Sequence, residues 1–144
     1  MTGRAHTLFF IAATTVVVVA IVWGFVLVGS PQTTRLQRLD EQRLTDLQDI
    51  HQEIQSLVRD PEDNDKLKQE LPKTLSEAAE RATYRKLNLE DPETGAAYRY
   101  TRIDERTYEL CATFALPRDS DTEVFWNHGT GEACINTNMF VPDP

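Results

Sequence analysis

Residues 8–29, LFFIAATTVVVVAIVWGFVLVG, contain no charged side chain. As a helix such a run spans ~33 Å, against roughly 30 Å for the hydrocarbon core of a bilayer. Three structures accommodate it: a membrane anchor, the apolar region of a cleaved signal peptide, or a helix buried in a core. Signal-peptide apolar regions are shorter, roughly 7–15 residues, although the small pair Gly29-Ser30 resembles a cleavage site. A core helix at the edge of a domain carries a polar face, and nothing divides this run into faces. The sequence therefore predicts an uncleaved transmembrane helix at 8–29 behind a short tail at 1–7. Trp23 suits the outer interface, where indole rings prefer to lie.

Orientation rests on two opposing signals. Arg4 and His6 precede the span, whereas Arg35, Arg38 and Arg43 follow it. Counting Lys and Arg alone puts the following domain in the cytoplasm. Cys111 and Cys134 point the other way. They belong to no CxxC and to no Cys/His cluster with zinc spacing, and in an oxidising compartment they pair. Closing that loop contributes about 3 kcal/mol by the chain-entropy argument. The expectation is N-in, C-out, with an extracytoplasmic domain on the cytoplasmic (inner) membrane and a Cys111–Cys134 disulfide. The alternative is two buried thiols in a cytosolic domain.

The chain of 144 residues carries a net charge of −8, and Arg4 is the only Asp, Glu, Lys or Arg before residue 31, which leaves −9 for residues 31–144. A domain so acidic repels nucleic-acid backbones and anionic headgroups. Its length suits one small domain with a modest core.

From Ser30-Pro31, which either starts a helix or kinks one long helix emerging from the membrane, an amphipathic helix is predicted over 30–60. Leu36, Leu39, Leu44, Leu47, Ile50, Ile54, Leu57 and Val58 fall near one stripe. Asp40 and Arg43 interrupt a clean heptad, which favours a domain-core face over a coiled-coil seam. Asp60-Pro61 ends the helix. A connector at 61–96 holds a polar acidic loop at 60–65, then a short helix capped by Thr74 or Ser76. The acidic loop imitates a calcium loop through Asp60, Glu62 and Asn64. However, Asp65 stands where Gly is required and Leu71 where the bidentate Glu belongs, so a solvated loop is expected and no metal site is assigned. Asp91-Pro92-Glu93-Thr94-Gly95 is a turn.

Two strands are predicted at 97–103 and 107–116 within a segment 97–144. Tyr108, Leu110, Ala112, Phe114 and Leu116 share the core face of the second strand. Parity then fixes the register. A three-residue loop, Asp104-Glu105-Arg106, places Tyr100 opposite Leu110, whereas a two-residue turn would turn Arg99 and Thr101 into the core. In that register Cys111 points away from the helix, so the segment carrying Cys134 must close over the outer face or edge of the sheet. Residues 123–126 suggest a short third strand, and 141–144 a frayed tail.

These pieces resemble a type IV pilin or type II secretion pseudopilin: an N-terminal hydrophobic helix, an amphipathic continuation and a small antiparallel sheet. More closely, the chain resembles a group of uncharacterised bacterial single-pass membrane proteins. The stretches that carry the resemblance are RLDEQRLTDLQDIHQEI, LPKTL, DPETGAAYRY, YELCATF and WNHGTGEAC. The resemblance implies a pilin-like α+β fold and no particular activity. Gly3 is followed by Arg4, and Leu8 stands where a pilin has its Glu, so a filament-forming role is not implied.

Catalytic signatures are missing from the sequence. His6, His51 and His128 are far apart, with His51 expected to be exposed and His128 in a turn; no GxSxG, HExxH or P-loop occurs. Tyr98, Tyr100 and Tyr108 suggest either core residues or a ligand platform. No catalytic residue, cofactor or small-molecule substrate is assigned. The expected function is structural or interaction-mediating, through protein partners. A ligand- or cation-binding sensor module is the alternative.

Overall fold

The computed structural model describes residues 2–28, 31–60, 62 and 66–138. The chain divides into two compact units between Arg35 and Leu36. The first contains helix α1, Thr2–Val28, which begins ahead of the apolar run and takes in most of the expected tail at 1–7. Its stretch His6–Gly24 is long and apolar enough to cross a membrane, and none of it is buried. Thr14 and Thr15 donate their hydroxyls to the carbonyl oxygens of Phe10 and Ile11, each at 2.8 Å. In hydrocarbon those hydroxyls would otherwise lack partners.

The second unit is α+β, as expected. It contains most of helix α2, Pro31–Val58, and the short helix α3, Leu75–Arg81. Strands β1 (Arg99–Arg102), β2 (Thr107–Phe114) and β3 (Gly131–Asn138) form one antiparallel sheet in the order β1-β2-β3. The stripe on α2 buries Leu44, Leu47, Ile50, Ile54 and Val58. These side chains join Tyr108, Leu110, Ala112 and Phe114 of β2, Ile135 of β3, and Leu71, Leu75, Ala78 and Leu87 of the connector in one core. Each fully buried aliphatic or aromatic side chain there contributes about 1.5–3 kcal/mol.

Local signals set the element ends. Thr74 caps α3 by accepting the Glu77 N–H at 3.1 Å, and the Glu77 carboxylate accepts the Lys73 N–H at 2.7 Å. This is a capping-box exchange shifted one residue outward. The turn at Asp91 closes with the Gly95 N–H on the Asp91 carbonyl at 2.8 Å. Gly95 has φ +70°, a conformation glycine adopts without steric cost.

The β1–β2 register is the one parity predicts, with Tyr100 opposite Leu110 and a three-residue loop between Ile103 and Thr107. The loop manages without glycine because the Asp104 carboxylate accepts the N–H groups of Arg106 and Thr107, both at 2.7 Å. Those bonds hold its carboxyl below the usual range.

The third strand differs from expectation. Residues Val124–Trp126 form one 3₁₀ turn, and the strand is Gly131–Asn138. Phe125 and Trp126 meet the His51 ring at centroid distances of 6.0 and 5.6 Å. Two adjacent aromatics that both pack on one helix cannot alternate between the faces of a sheet. The tail at 141–144 lies outside the described residues.

Candidate functional site

Between Arg43 and Glu53, α2 carries a series of polar contacts along one edge of its apolar stripe. Residues 83–93 run antiparallel to it as a strap, and α2 contributes a polar contact on each of successive turns. Glu53, 2% exposed, accepts the N–H groups of Thr83 and Tyr84 at 2.9 and 3.3 Å. Asp49 pairs with Arg85. Asp46 accepts Asn88 Nδ2 at 3.0 Å and the Tyr98 hydroxyl at 2.8 Å. Arg43 closes the series on Asp91 and Glu93. The spacing of Arg43, Asp46, Asp49 and Glu53 by three, three and four residues is what puts them on one side of a helix.

Arg43 is the densest point of this ladder. It is 4% exposed. Its Nε and Nη2 donate to the two Asp91 oxygens at 2.5 and 3.2 Å, its Nη1 to Asp40 Oδ1 at 2.8 Å and its Nη2 to Glu93 Oε2 at 3.1 Å. Asp91 Oδ1 also accepts the N–H groups of Glu93 and Thr94. Asp40 accepts the Ala115 N–H with both oxygens and the Leu116 N–H at 2.8 Å, which ties the end of β2 to α2. The Asp91 hydrogen bonds raise the Arg43 pKa well above its ordinary value. The Arg43 guanidinium in turn holds the Asp91 carboxyl far below the carboxylate range, with the Thr94 and Glu93 N–H groups adding to it. Burial raises Asp46, against the bonds from Tyr98 and Asn88.

His51, expected on the surface, is 3% exposed. Its Nδ1 shares a hydrogen bond with the Tyr108 hydroxyl at 2.7 Å, and its Nε2 with Gln55 Nε2 at 2.7 Å. The spacing Leu47, His51, Ile54, Val58 is helical, so His51 lies on the apolar stripe, which is the signal that sequence reading passed over. His128, expected in a turn, instead forms an isolated antiparallel bridge with Arg118 and stacks on Phe114 with centroids 3.5 Å apart. Tyr98 and Tyr108 are core residues, and Tyr100 packs against the core partly buried. Tyr98 is 6% and Tyr108 0% exposed, and the Tyr100 hydroxyl donates to the Pro72 carbonyl at 2.7 Å. Burial pushes Tyr100 up to about 12; burial, then the bond to Asp46, lifts Tyr98 further. In the acidic loop, Asp60 Oδ1 accepts the Glu62 N–H at 2.9 Å; residues 61 and 63–65 lie outside the described residues.

Cys111 and Cys134 face each other across β2 and β3, with Cα atoms 4.0 Å apart and sulfurs at bonding distance. Of the two expected closures, over the outer face or at the edge of the sheet, the segment carrying Cys134 takes the edge by becoming its third strand. Glu109 places a carboxylate oxygen near both sulfurs. The two sulfurs suit a metal only as thiolates, and sulfurs bonded to each other are not available in that form. Beside the disulfide, where β1 ends and β2 continues, a groove of about 480 Å³ is lined by Arg43, Asp91, Tyr98, Arg99, Cys111 and Glu132. Its buried charges are engaged with one another, so what this corner does chemically is latch the strap, α2 and β2 together. No protein family, curated protein or solved structure matches the chain.

Proposed function

We propose that the protein is a single-pass membrane protein whose acidic, disulfide-closed domain lies outside the cytoplasm and acts structurally, as a pseudopilin-like module engaged by protein partners rather than as an enzyme. The observation that carries this reading is the coexistence, in one chain, of a helix able to span a membrane and a cysteine pair at disulfide distance in the domain that follows it. Disulfides persist in oxidising compartments. Further support comes from the buried charges. Arg43, Asp91, Asp40 and Glu53 bind one another or backbone N–H groups, the use expected of groups that hold a fold.

Protease added to spheroplasts producing the chain with a C-terminal epitope tests this reading. The proposal predicts loss of the epitope without detergent. Survival of the epitope until detergent is added would place the domain in the cytoplasm and overturn it.

A further inference from the structure

The disulfide is asymmetric in ways that give its chemistry a direction. Cys111 is 2% exposed, whereas Cys134 is exposed. Arg99 stands opposite Cys111 in the β1–β2 register, yet its Nη2 lies 3.1 Å from Cys134 Sγ and 3.1 Å from Glu132 Oε1. Its side chain therefore crosses the disulfide from the Cys111 side. On the other flank, Glu109 Oε2 lies 3.7 Å from Cys111 Sγ. Cys134 is the sulfur open to solvent, with the Arg99 guanidinium against it; Cys111 is covered, and the Glu109 carboxylate lies near both sulfurs.

Thiol–disulfide exchange depends on which sulfur is reached and on how readily the other departs as a thiolate. From this geometry we propose that Cys134 is a thiol-exchange site for small-molecule thiols and that Cys111 is the protected leaving sulfur. The incoming thiolate bonds to Cys134 Sγ and the Cys111–Cys134 bond breaks. Its electron pair stays on Cys111 Sγ, which then takes a proton from water. A second thiol attacking the mixed disulfide releases the oxidised thiol, so two thiols supply the two electrons that reduce the pair. The Arg99 cation attracts the incoming thiolate to Cys134. The Glu109 carboxylate opposes the negative charge that develops on Cys111, and so slows the step. The open sulfur therefore accepts a thiol, while its partner resists departure and recloses by attacking the same Cys134 sulfur. This inference concerns the oxidised pair and does not depend on the direction in which the chain crosses the membrane.

Reduced glutathione added to the detergent-solubilised full chain, followed by acid trapping and tryptic mapping, tests it. Cleavage after Arg106 and Arg118 puts the two cysteines on separate peptides, 107–118 and 119–144. The glutathione adduct should fall on 119–144 in at least about tenfold excess, because access selects the attacked sulfur. Glu109→Gln should speed exchange about threefold, through a better leaving group. Arg99→Ala should slow formation of the adduct on 119–144, because the cation that draws the thiolate to Cys134 is gone. An adduct divided equally or favouring 107–118 in the wild-type chain would overturn the proposal, whether or not either variant folds. So would an unchanged rate in a folded Glu109→Gln variant, or free thiols in the chain before glutathione is added.

Discussion

Two sets of residues on α2 hold their neighbours by different physics. One set is the stripe Leu47, Ile50, Ile54 and Val58, buried against the sheet at 0% exposure each. Arg43, which interrupts that stripe, and Asp46, Asp49 and Glu53 along its edge hold residues 83–93. The apolar set is non-directional and adds up by area. The polar set is directional: each rung depends on one or two specific partners, and a buried rung that loses its partner leaves an unpaired group behind. A small domain with a modest core thus uses a single helix to organise both a sheet and an irregular strap.

The comparison breaks first at Arg43. Arg43→Ala should cost about 3–5 kcal/mol, as expected when one partner of a buried ionic cluster is removed, and so should match or exceed Leu47→Ala in the apolar set, about 2–5 kcal/mol. Denaturant unfolding of both variants measures the two sets on one scale. If Arg43→Ala costs under 1 kcal/mol, the polar set is ornamental. Glu53→Ala should cost less, about 1–3 kcal/mol, by leaving the Thr83 and Tyr84 N–H groups without their acceptor. It should also loosen one end of the strap, so limited trypsin digestion at Arg85 and Lys86 should quicken well before global unfolding.

Acid separates the rungs by sign. The Asp91 carboxyl is held below its unfolded value. Its contribution is therefore present above pH ~4 and is lost as pH falls below that. Asp46 is raised, so its folded form takes up a proton more readily and gains stability as pH falls. The two oppose each other. Asp46→Asn removes the compensating term, and its melting temperature should fall more steeply than wild type between pH 5 and pH 3. A parallel slope would show that Asp46 is not strained by burial. The smallest effect belongs to Asp49→Ala. This pair with Arg85 is half-exposed on the arginine side, and its loss should cost about 0.2–1 kcal/mol in the same unfolding measurement.

The same contrast decides which features of the fold are legible in the sequence. The hairpin register was legible because apolar and polar positions alternate with period two, and a one-residue slip would expose Tyr100 and Leu110. The stripe on α2 was legible from its helical period. The strap was not, because each polar rung joins residues 30–50 positions apart and such pairings leave no period in the sequence. Asp40 and Arg43 were visible as interruptions, and His51 sat on the stripe at helical spacing from Leu47. What the sequence could not supply was the partner: the Asp91 turn, the ends of β2, and the Tyr108 hydroxyl. The third strand was misplaced for a related reason. Val124, Phe125 and Trp126 read as strand formers, but the two aromatics are drawn onto α2, and the second pairing partner of β2 is the segment GEACINTN. Cys111 was correctly assigned to the outer face, which required a neighbouring segment to bring Cys134 to it.

The central claim is an oxidised domain held outside the cytoplasm by one apolar helix. A membrane-impermeant maleimide bearing a mass tag, applied to intact spheroplasts and then again after a reducing agent, tests it most directly. The account predicts no tag on Cys111 or Cys134 before reduction and two tags after it, without permeabilising the membrane. Two tags gained only after permeabilisation, with no reductant present, would contradict both the disulfide and the topology.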